Sequence, residues 1–134
     1  MDEARAGGCQ CGHIRYHIDG KPVDLVVCHC TECQRQSGSA FGMSLAVLAK
    51  SFQLTQGELS SFQVVCDSGR VKTCTFCPRC GTRIAHQTNP AGLSVKAGTL
   101  DDRSDLVPTA HYWTKSKQPW VIIPDGVKSF PDDG

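Results

Sequence analysis

Long apolar runs, net charge and helical periodicity are all scarce in this sequence. The longest nearly apolar stretch, Phe41 to Ala49, is far too short to cross a bilayer, so a membrane-spanning protein is not expected. Formal charge is only +1, from 14 basic and 13 acidic side chains. Without a basic field to attract phosphate backbones, nucleic acid is excluded as the expected partner. Behind Met1-Asp2-Glu3-Ala4-Arg5 there is no apolar stretch, which predicts no secretory signal. Apolar residues make up 40% and aromatics 7% of 134 positions, a modest supply for one core. No repeat, low-complexity segment or linker divides the chain. A single domain over residues 1–134 is expected, with its core at residues 7–123 and an irregular C-terminal tail.

What the chain does have is cysteine. Seven of its nine cysteines fall in three clusters: Cys9-x-Cys11, Cys28-x-Cys30-x-x-Cys33 and Cys77-x-x-Cys80. With no export signal expected, reduced thiols in a cytoplasmic protein are the better reading, and an odd total disfavours complete disulfide pairing. Zinc closes a structural site with four protein ligands, whereas a catalytic zinc keeps three and an open position. One site of each kind uses all seven thiols. As thiolates holding two divalent ions, they would move the formal charge from +1 to −2.

Short β-branched and aromatic runs between turn signals predict a mainly β fold with several short antiparallel strands. From His13 to Ile18 the chain alternates, putting Ile14, Tyr16 and Ile18 on one face. Strands are also expected at Leu25 to Cys30, Phe41 to Val47, Thr82 to His86, Leu93 to Ala97 and Pro108 to Trp113. Leu59 to Cys66 and Val71 to Phe76 flank Asp67-Ser68-Gly69-Arg70 and read as a hairpin. Only Thr31 to Ser37 reads as helix, and Gly38 would stop it. Pro108, Pro119, Pro124 and Pro131 predict an irregular C-terminal quarter that wraps the sheets.

In an extended strand, residues two apart share a side, so Cys9 with Cys11, and Cys28 with Cys30, could each offer two sulfurs to one metal. A tight knuckle does the same for Cys77 and Cys80, with Pro78 fixing the turn and Gly81 letting amides fold back towards sulfur. Spacing alone leaves the grouping open. Cys9, Cys11, Cys77 and Cys80 could form the closed site, leaving Cys28, Cys30 and Cys33 as a near-contiguous tripod. Alternatively, Cys30, Cys33, Cys77 and Cys80 could form a zinc ribbon. The tripod grouping is preferred because it is preorganised. Such a site suits thiol chemistry better than hydrolysis, because three sulfurs lower the Lewis acidity of the metal. Cys66 and Cys74 read as small, partly buried side chains. His29 should turn away from a metal held by its neighbours. His13, His17, His86 and His111 lack ligand spacing. Thr31, Gln34 and Ser37 are candidate substrate contacts that read more simply as polar surface. Arg35, Lys96, Lys115 and Lys117 could meet substrate carboxylates, although scattered basic residues are usually solvated.

Several stretches taken together resemble one known family. They are Gly8-Cys9-Gln10-Cys11-Gly12, Cys28-His29-Cys30-Thr31-Glu32-Cys33, Ser37-Gly38-Ser39-Ala40 and Phe76-Cys77-Pro78-Arg79-Cys80-Gly81-Thr82. The pattern continues through Lys96-Ala97-Gly98-Thr99-Leu100-Asp101-Asp102, His111-Tyr112-Trp113-Thr114-Lys115 and Pro119-Trp120. The chain resembles a short bacterial-type member of the glutathione-dependent formaldehyde-activating enzyme family, which also includes centromere protein V. The resemblance implies a zinc-braced β-tent. It also implies a structural zinc on Cys9, Cys11, Cys77 and Cys80, and a catalytic zinc on Cys28, Cys30 and Cys33. The implied activity is that of a carbon–sulfur lyase joining formaldehyde to glutathione. The alternative is a non-enzymatic zinc protein that binds a thiol metabolite or a protein partner, since fold alone does not fix function.

Overall fold

The structure, a computed structural model, describes residues 4–66 and 69–133. Met1 to Glu3, Asp67-Ser68 within the expected hairpin turn, and Gly134 lie outside the described residues. The chain is mainly β. Among the described residues it forms eleven strands, one α-helix and three single 3₁₀ turns. In chain order these are β1 (Arg5–Gly8), β2 (Arg15–Ile18), β3 (Asp24–Cys28), α1 (Thr31–Ser37), β4 (Gly42–Leu48), β5 (Phe52–Gln56), β6 (Ser60–Val65), β7 (Val71–Phe76), β8 (Arg83–Gln87), β9 (Gly92–Lys96), β10 (Ala110–Tyr112) and β11 (Lys128–Ser129). No helix among them is long and apolar enough to cross a membrane.

Two sheets share the strands. A small sheet has the order β1-β2-β5, and a large one runs β11-β10-β3-β4-β9-β8-β7-β6. The alternation before Asp19 produces the contact between them. Ile14, Tyr16 and Ile18 are buried and pack with Leu25, Leu45, Val47, Ile84, Val95 and Leu100 of or near the large sheet. Each aliphatic side chain hidden in this way stabilises the fold by roughly 1.5–3 kcal/mol. The Tyr16 hydroxyl does not go unpaired in that core. It shares a 2.6 Å hydrogen bond with the Thr99 hydroxyl, and burial pushes its pKa up to about 12.

Strand ends differ from the sequence expectation at two places that matter for the thiols. β3 stops at Cys28, and Cys30 instead caps α1, accepting from the Cys33 N–H at 3.3 Å. Cys30 keeps an extended backbone (φ −63°, ψ 157°), so the expected same-side placement with Cys28 survives the end of the strand. Cys9 and Cys11 are not in a strand. They lie in the turn from β1 to β2, where Gly12 at φ 84° closes a hydrogen bond from its N–H to the Cys9 carbonyl. Helix α1 ends as expected at Gly38, which takes a left-handed conformation. The C-terminal quarter wraps as expected. β11 pairs in parallel with β10, and Gln118 reaches across to donate to Gln34 on α1.

Candidate metal centres and the adjoining cleft

All nine cysteines are free thiols. Two groups of them converge: Cys9, Cys11, Cys77 and Cys80 in one, and Cys28, Cys30 and Cys33 in the other, with the sulfurs of each group within 4.8 Å of one another. The zinc-ribbon pairing of Cys30 and Cys33 with Cys77 and Cys80 is not the one the fold assembles.

The four-sulfur group joins two turns from distant parts of the chain. The second turn, between β7 and β8, is the expected knuckle. Gly81, at φ 81°, donates to the Cys77 carbonyl at 2.9 Å, and Cys77 N–H donates to Thr82 at 3.0 Å. Backbone amides also point at sulfur: Ile14 N–H at Cys9 Sγ (3.2 Å) and Arg79 N–H at Cys77 Sγ (3.4 Å). Such donors stabilise a thiolate over a thiol. The Thr82 hydroxyl, 3.2 Å from Cys80 Sγ, helps bring that thiol down to about 5. A tetrahedral zinc with bonds of about 2.3 Å sets its sulfurs roughly 3.8 Å apart. Cys9 to Cys11 is 3.6 Å and Cys11 to Cys77 is 3.8 Å, so the residues present fit such an ion.

The three-sulfur group sits where β3 hands over to α1. Its thiols crowd one another. Hydrogen bonds from Cys28 and Cys33 bring Cys30 down to about 2, and Cys28, whose thiol donates to Cys30 and Cys33, is raised. Three thiols this close cannot all ionise without a cation between them, which is the electrostatic demand that a metal meets. No fourth His, Cys, Asp or Glu among the described residues joins this group.

Next to the trio in sequence, His29 is fully buried. Its Nε2 lies 2.8 Å from His111 Nδ1, and the rings stack 5.1 Å apart. Burial lowers both imidazoles, so both are neutral. His29 Nδ1 finds no partner. The tautomer that costs least therefore puts the His29 proton on Nε2, donating to His111, and leaves Nδ1 as a bare acceptor rather than an orphaned N–H. Gln34, a candidate substrate contact, is instead structural. Its amide donates to the His29 and Ser116 carbonyls at 2.8 and 3.0 Å. Ser37 donates to the Cys33 carbonyl at 2.7 Å while lining a cleft. Thr31 stays exposed at the start of α1.

That cleft, of about 510 Å³, has Cys80 of the four-sulfur group in its wall. Thr82, Gln36, Gly42 and Lys96 also line it. A smaller cavity of about 80 Å³ adjoins it, with Cys33, Lys72 and His86 in its wall and with Gln36 and Arg83 common to both. Of the four basic residues suggested by sequence, only Lys96 reaches this region. Lys115 lies over the Trp113 ring, Lys117 donates to the Gln118 and Val121 carbonyls, and Arg35 borders a shallow surface elsewhere. Lys96 is buried rather than solvated. Its ammonium donates to Ser44 Oγ at 3.2 Å, and burial lowers its pKa. Arg83, Lys72 and Gly42 were not singled out by sequence. Only the placement of Lys96 between Val95 and Ala97 carries a signal, a charge inside an apolar strand.

A mainly β fold with two converging thiol groups defines a class of cysteine-rich, metal-compatible domains. The particular family follows from comparison: residues 4–116 match the family described as glutathione-dependent formaldehyde-activating enzyme, and the chain belongs to it. A crystal structure of a Rhodobacter sphaeroides protein is similar in fold (TM-score 0.59, 20% identity, covering 75% of this chain and 91% of that one). No curated protein matches the chain.

Proposed function

We propose that this protein is a zinc-dependent carbon–sulfur lyase or synthase that acts on a small thiol, with glutathione the first candidate, and an aldehyde such as formaldehyde. In this reading Cys9, Cys11, Cys77 and Cys80 hold a structural zinc, and Cys28, Cys30 and Cys33 hold a catalytic one. The whole chain acts as one zinc domain in a reducing cytoplasm. The observation that carries the proposal is the incomplete donor set: three sulfurs within 4.8 Å of one another, no fourth ligand among the described residues, and a small cavity with Cys33 in its wall. A zinc on three thiolates keeps a position for an incoming thiol and favours its ionised form.

The chain's own residues then do three things. The trio fixes where the substrate sulfur can approach, converting an encounter of two solutes into an oriented contact. The His29–His111 pair and the Gln34 amide hold the segment from Cys28 to Cys33 in place. The cavity walls confine the aldehyde beside that sulfur. The overall step balances without a redox partner. The thiol loses its proton, a carbon–sulfur bond forms as the carbonyl π bond breaks, and the new alkoxide oxygen takes up a proton to give an S-hydroxymethyl adduct. Lysis is the reverse.

The direct test follows formaldehyde and the adduct by NMR exchange, with glutathione and other small thiols, for wild type and Cys30→Ser. A thiol-dependent rate above the spontaneous reaction, lost in Cys30→Ser, is expected. A wild-type rate equal to the spontaneous one in every thiol would leave the non-enzymatic zinc protein as the better reading.

A further inference from the structure

His29 stands between two thiols of the trio, and its hydrogen bonds tie it to the C-terminal part of the chain. Its N–H donates to the Tyr112 carbonyl at 2.9 Å, and its ring meets that of His111 at 2.8 Å. Its carbonyl accepts from the Gln34 amide at 2.8 Å, and the same amide donates to the Ser116 carbonyl at 3.0 Å. Peptide units are planar. The His29 N–H shares its plane with the Cys28 carbonyl, and the His29 carbonyl shares its plane with the Cys30 N–H. Pinning both groups therefore fixes how Cys28 and Cys30 are set relative to each other.

The hydrogen bonds continue beyond Gln34. Gln34 Oε1 accepts from Gln118 Nε2 at 3.1 Å, and Gln118 Oε1 accepts from the Trp120 indole N–H at 2.8 Å. Both ends of this chain have a fixed polarity. Backbone carbonyls only accept and an indole N–H only donates, so each glutamine amide can face only one way. Every donor then points from Trp120 towards His29, an alignment in which successive hydrogen bonds strengthen one another. Gln34 and Gln118 are half-buried, so removing either amide leaves its neighbour poorly served. Trp120, at the outer end, is 69% exposed.

Resting on the proposed metal at the trio, we infer that Gln118 is a positioning residue for that site. It acts through Gln34 and the His29 carbonyl, and holds Cys28 and Cys30 in the arrangement that binds the metal. Trp120 carries the state of the site to the surface. The quartet is held differently, by amides of its own turns and by Thr82. A change at Gln118 should reach one metal and spare the other.

The test measures zinc affinity by competition with a chromophoric chelator, on full-length protein whose folding is checked by circular dichroism. The zinc of the trio is identified as the one that Cys30→Ser loses. Gln118→Leu should weaken it by about tenfold, the scale for residues that orient metal ligands at one remove, and leave the other zinc unchanged. Gln34→Leu should cost at least as much. The double variant should cost no more than Gln34→Leu alone, because Gln118 acts through Gln34. A role in packing alone would make the two losses add. Trp120 gives a second readout that does not need Gln118→Leu to fold. The chain has two tryptophans, so Trp113→Phe leaves Trp120 as its single indole. Filling the trio with zinc should then shift the emission, and Cys30→Ser should abolish the shift. Unchanged affinity in Gln118→Leu, equal losses at both sites, additive losses in the double variant, or emission unmoved by zinc would each overturn the assignment. A wild type that binds one zinc and not two overturns both this assignment and the proposed chemistry. Absence of a thiol-dependent rate in doubly loaded protein overturns the chemistry alone.

Discussion

The two thiol groups differ less in chemistry than in how much chain they tie together. The four-sulfur group draws Cys11 against Cys77, 66 residues apart, and so links the β1–β2 turn to the β7–β8 turn. The three-sulfur group spans only Cys28 to Cys33, within one strand end and the first turn of α1. Loop-closure entropy grows with the length enclosed, so a metal on the first group constrains the unfolded chain far more than one on the second. A cluster that contributes little to folding is free to serve a ligand. The cavities differ as well: Cys33 of the trio lines the small cavity together with Lys72 and Arg83, whereas Cys80 of the quartet lines the larger cleft. The distant quartet is completed by amides and a threonine hydroxyl.

The largest effect that separates the two groups should appear in thermal unfolding. Cys77 is fully buried, and Cys77→Ser removes both a core side chain and a ligand of the long-range clip. Structural zinc sites supply on the order of 10 kcal/mol of folding free energy, more than a small domain of this kind has to spare. Cys77→Ser should therefore show no cooperative melting transition by circular dichroism, with or without added zinc. Cys30→Ser should melt cooperatively within about 5 °C of wild type, a loss near 1 kcal/mol. Equal losses in the two variants would break the distinction between clip and ligand site.

Much of this contrast is readable before any fold is known. The cysteine spacing, the Ile14-Tyr16-Ile18 face and the short helix ending at Gly38 are local patterns, and local patterns survive folding. The strands that escaped detection carry no such pattern. Arg5-Ala6-Gly7-Gly8 becomes β1, and the mostly exposed Phe52–Gln56 becomes β5, because each pairs with β2. Cys9 and Cys11 lie in a turn because Gly12 permits one, a detail that a two-residue spacing does not disclose. The cleft was the least legible part. Gln36 comes from α1, Gly42 from β4, Lys72 from β7, Arg83 from β8 and Lys96 from β9, and nothing in sequence brings five elements to one place.

Two glycines sharpen the comparison at intermediate size. Gly81 beside the quartet needs its backbone conformation, at φ 81°, and has open space where a Cβ would go. Gly42 beside the trio needs the space itself. Gly81→Ala should destabilise the protein by roughly 1 kcal/mol through left-handed strain, with ligand binding intact. Gly42→Ala should weaken binding of a small thiol several-fold, because the added methyl presses on Cys33, Lys96 and Gln36. Melting temperatures and calorimetric titrations of the two variants should move in opposite columns. A Gly42→Ala protein that binds as wild type would show that the space is not part of the site.

The smallest effect is acid sensitivity, and it too should belong to the open side of the molecule. His86, in the wall of the small cavity with Cys33, is held down to about 3 by burial and by the nearby Lys96, Lys72 and Arg83. In the unfolded chain the same imidazole takes a proton near its ordinary 6.5. Between those values the unfolded state binds the extra proton, so stability is complete above 6.5 and falls as pH drops towards 3. From pH 6.5 down to about 5.5 the loss from this one group is about 1 kcal/mol. His29 and His111, lowered by burial, add losses of the same sign. His86→Gln should reduce the slope of unfolding free energy against pH in that interval by the share of one histidine. The comparison must be made on zinc-loaded protein, and above the range where thiolates themselves take up protons and release metal. If the slope is unchanged in His86→Gln, the imidazole is solvated enough to titrate normally, and the cavity beside Cys33 is wetter than its enclosing cations imply.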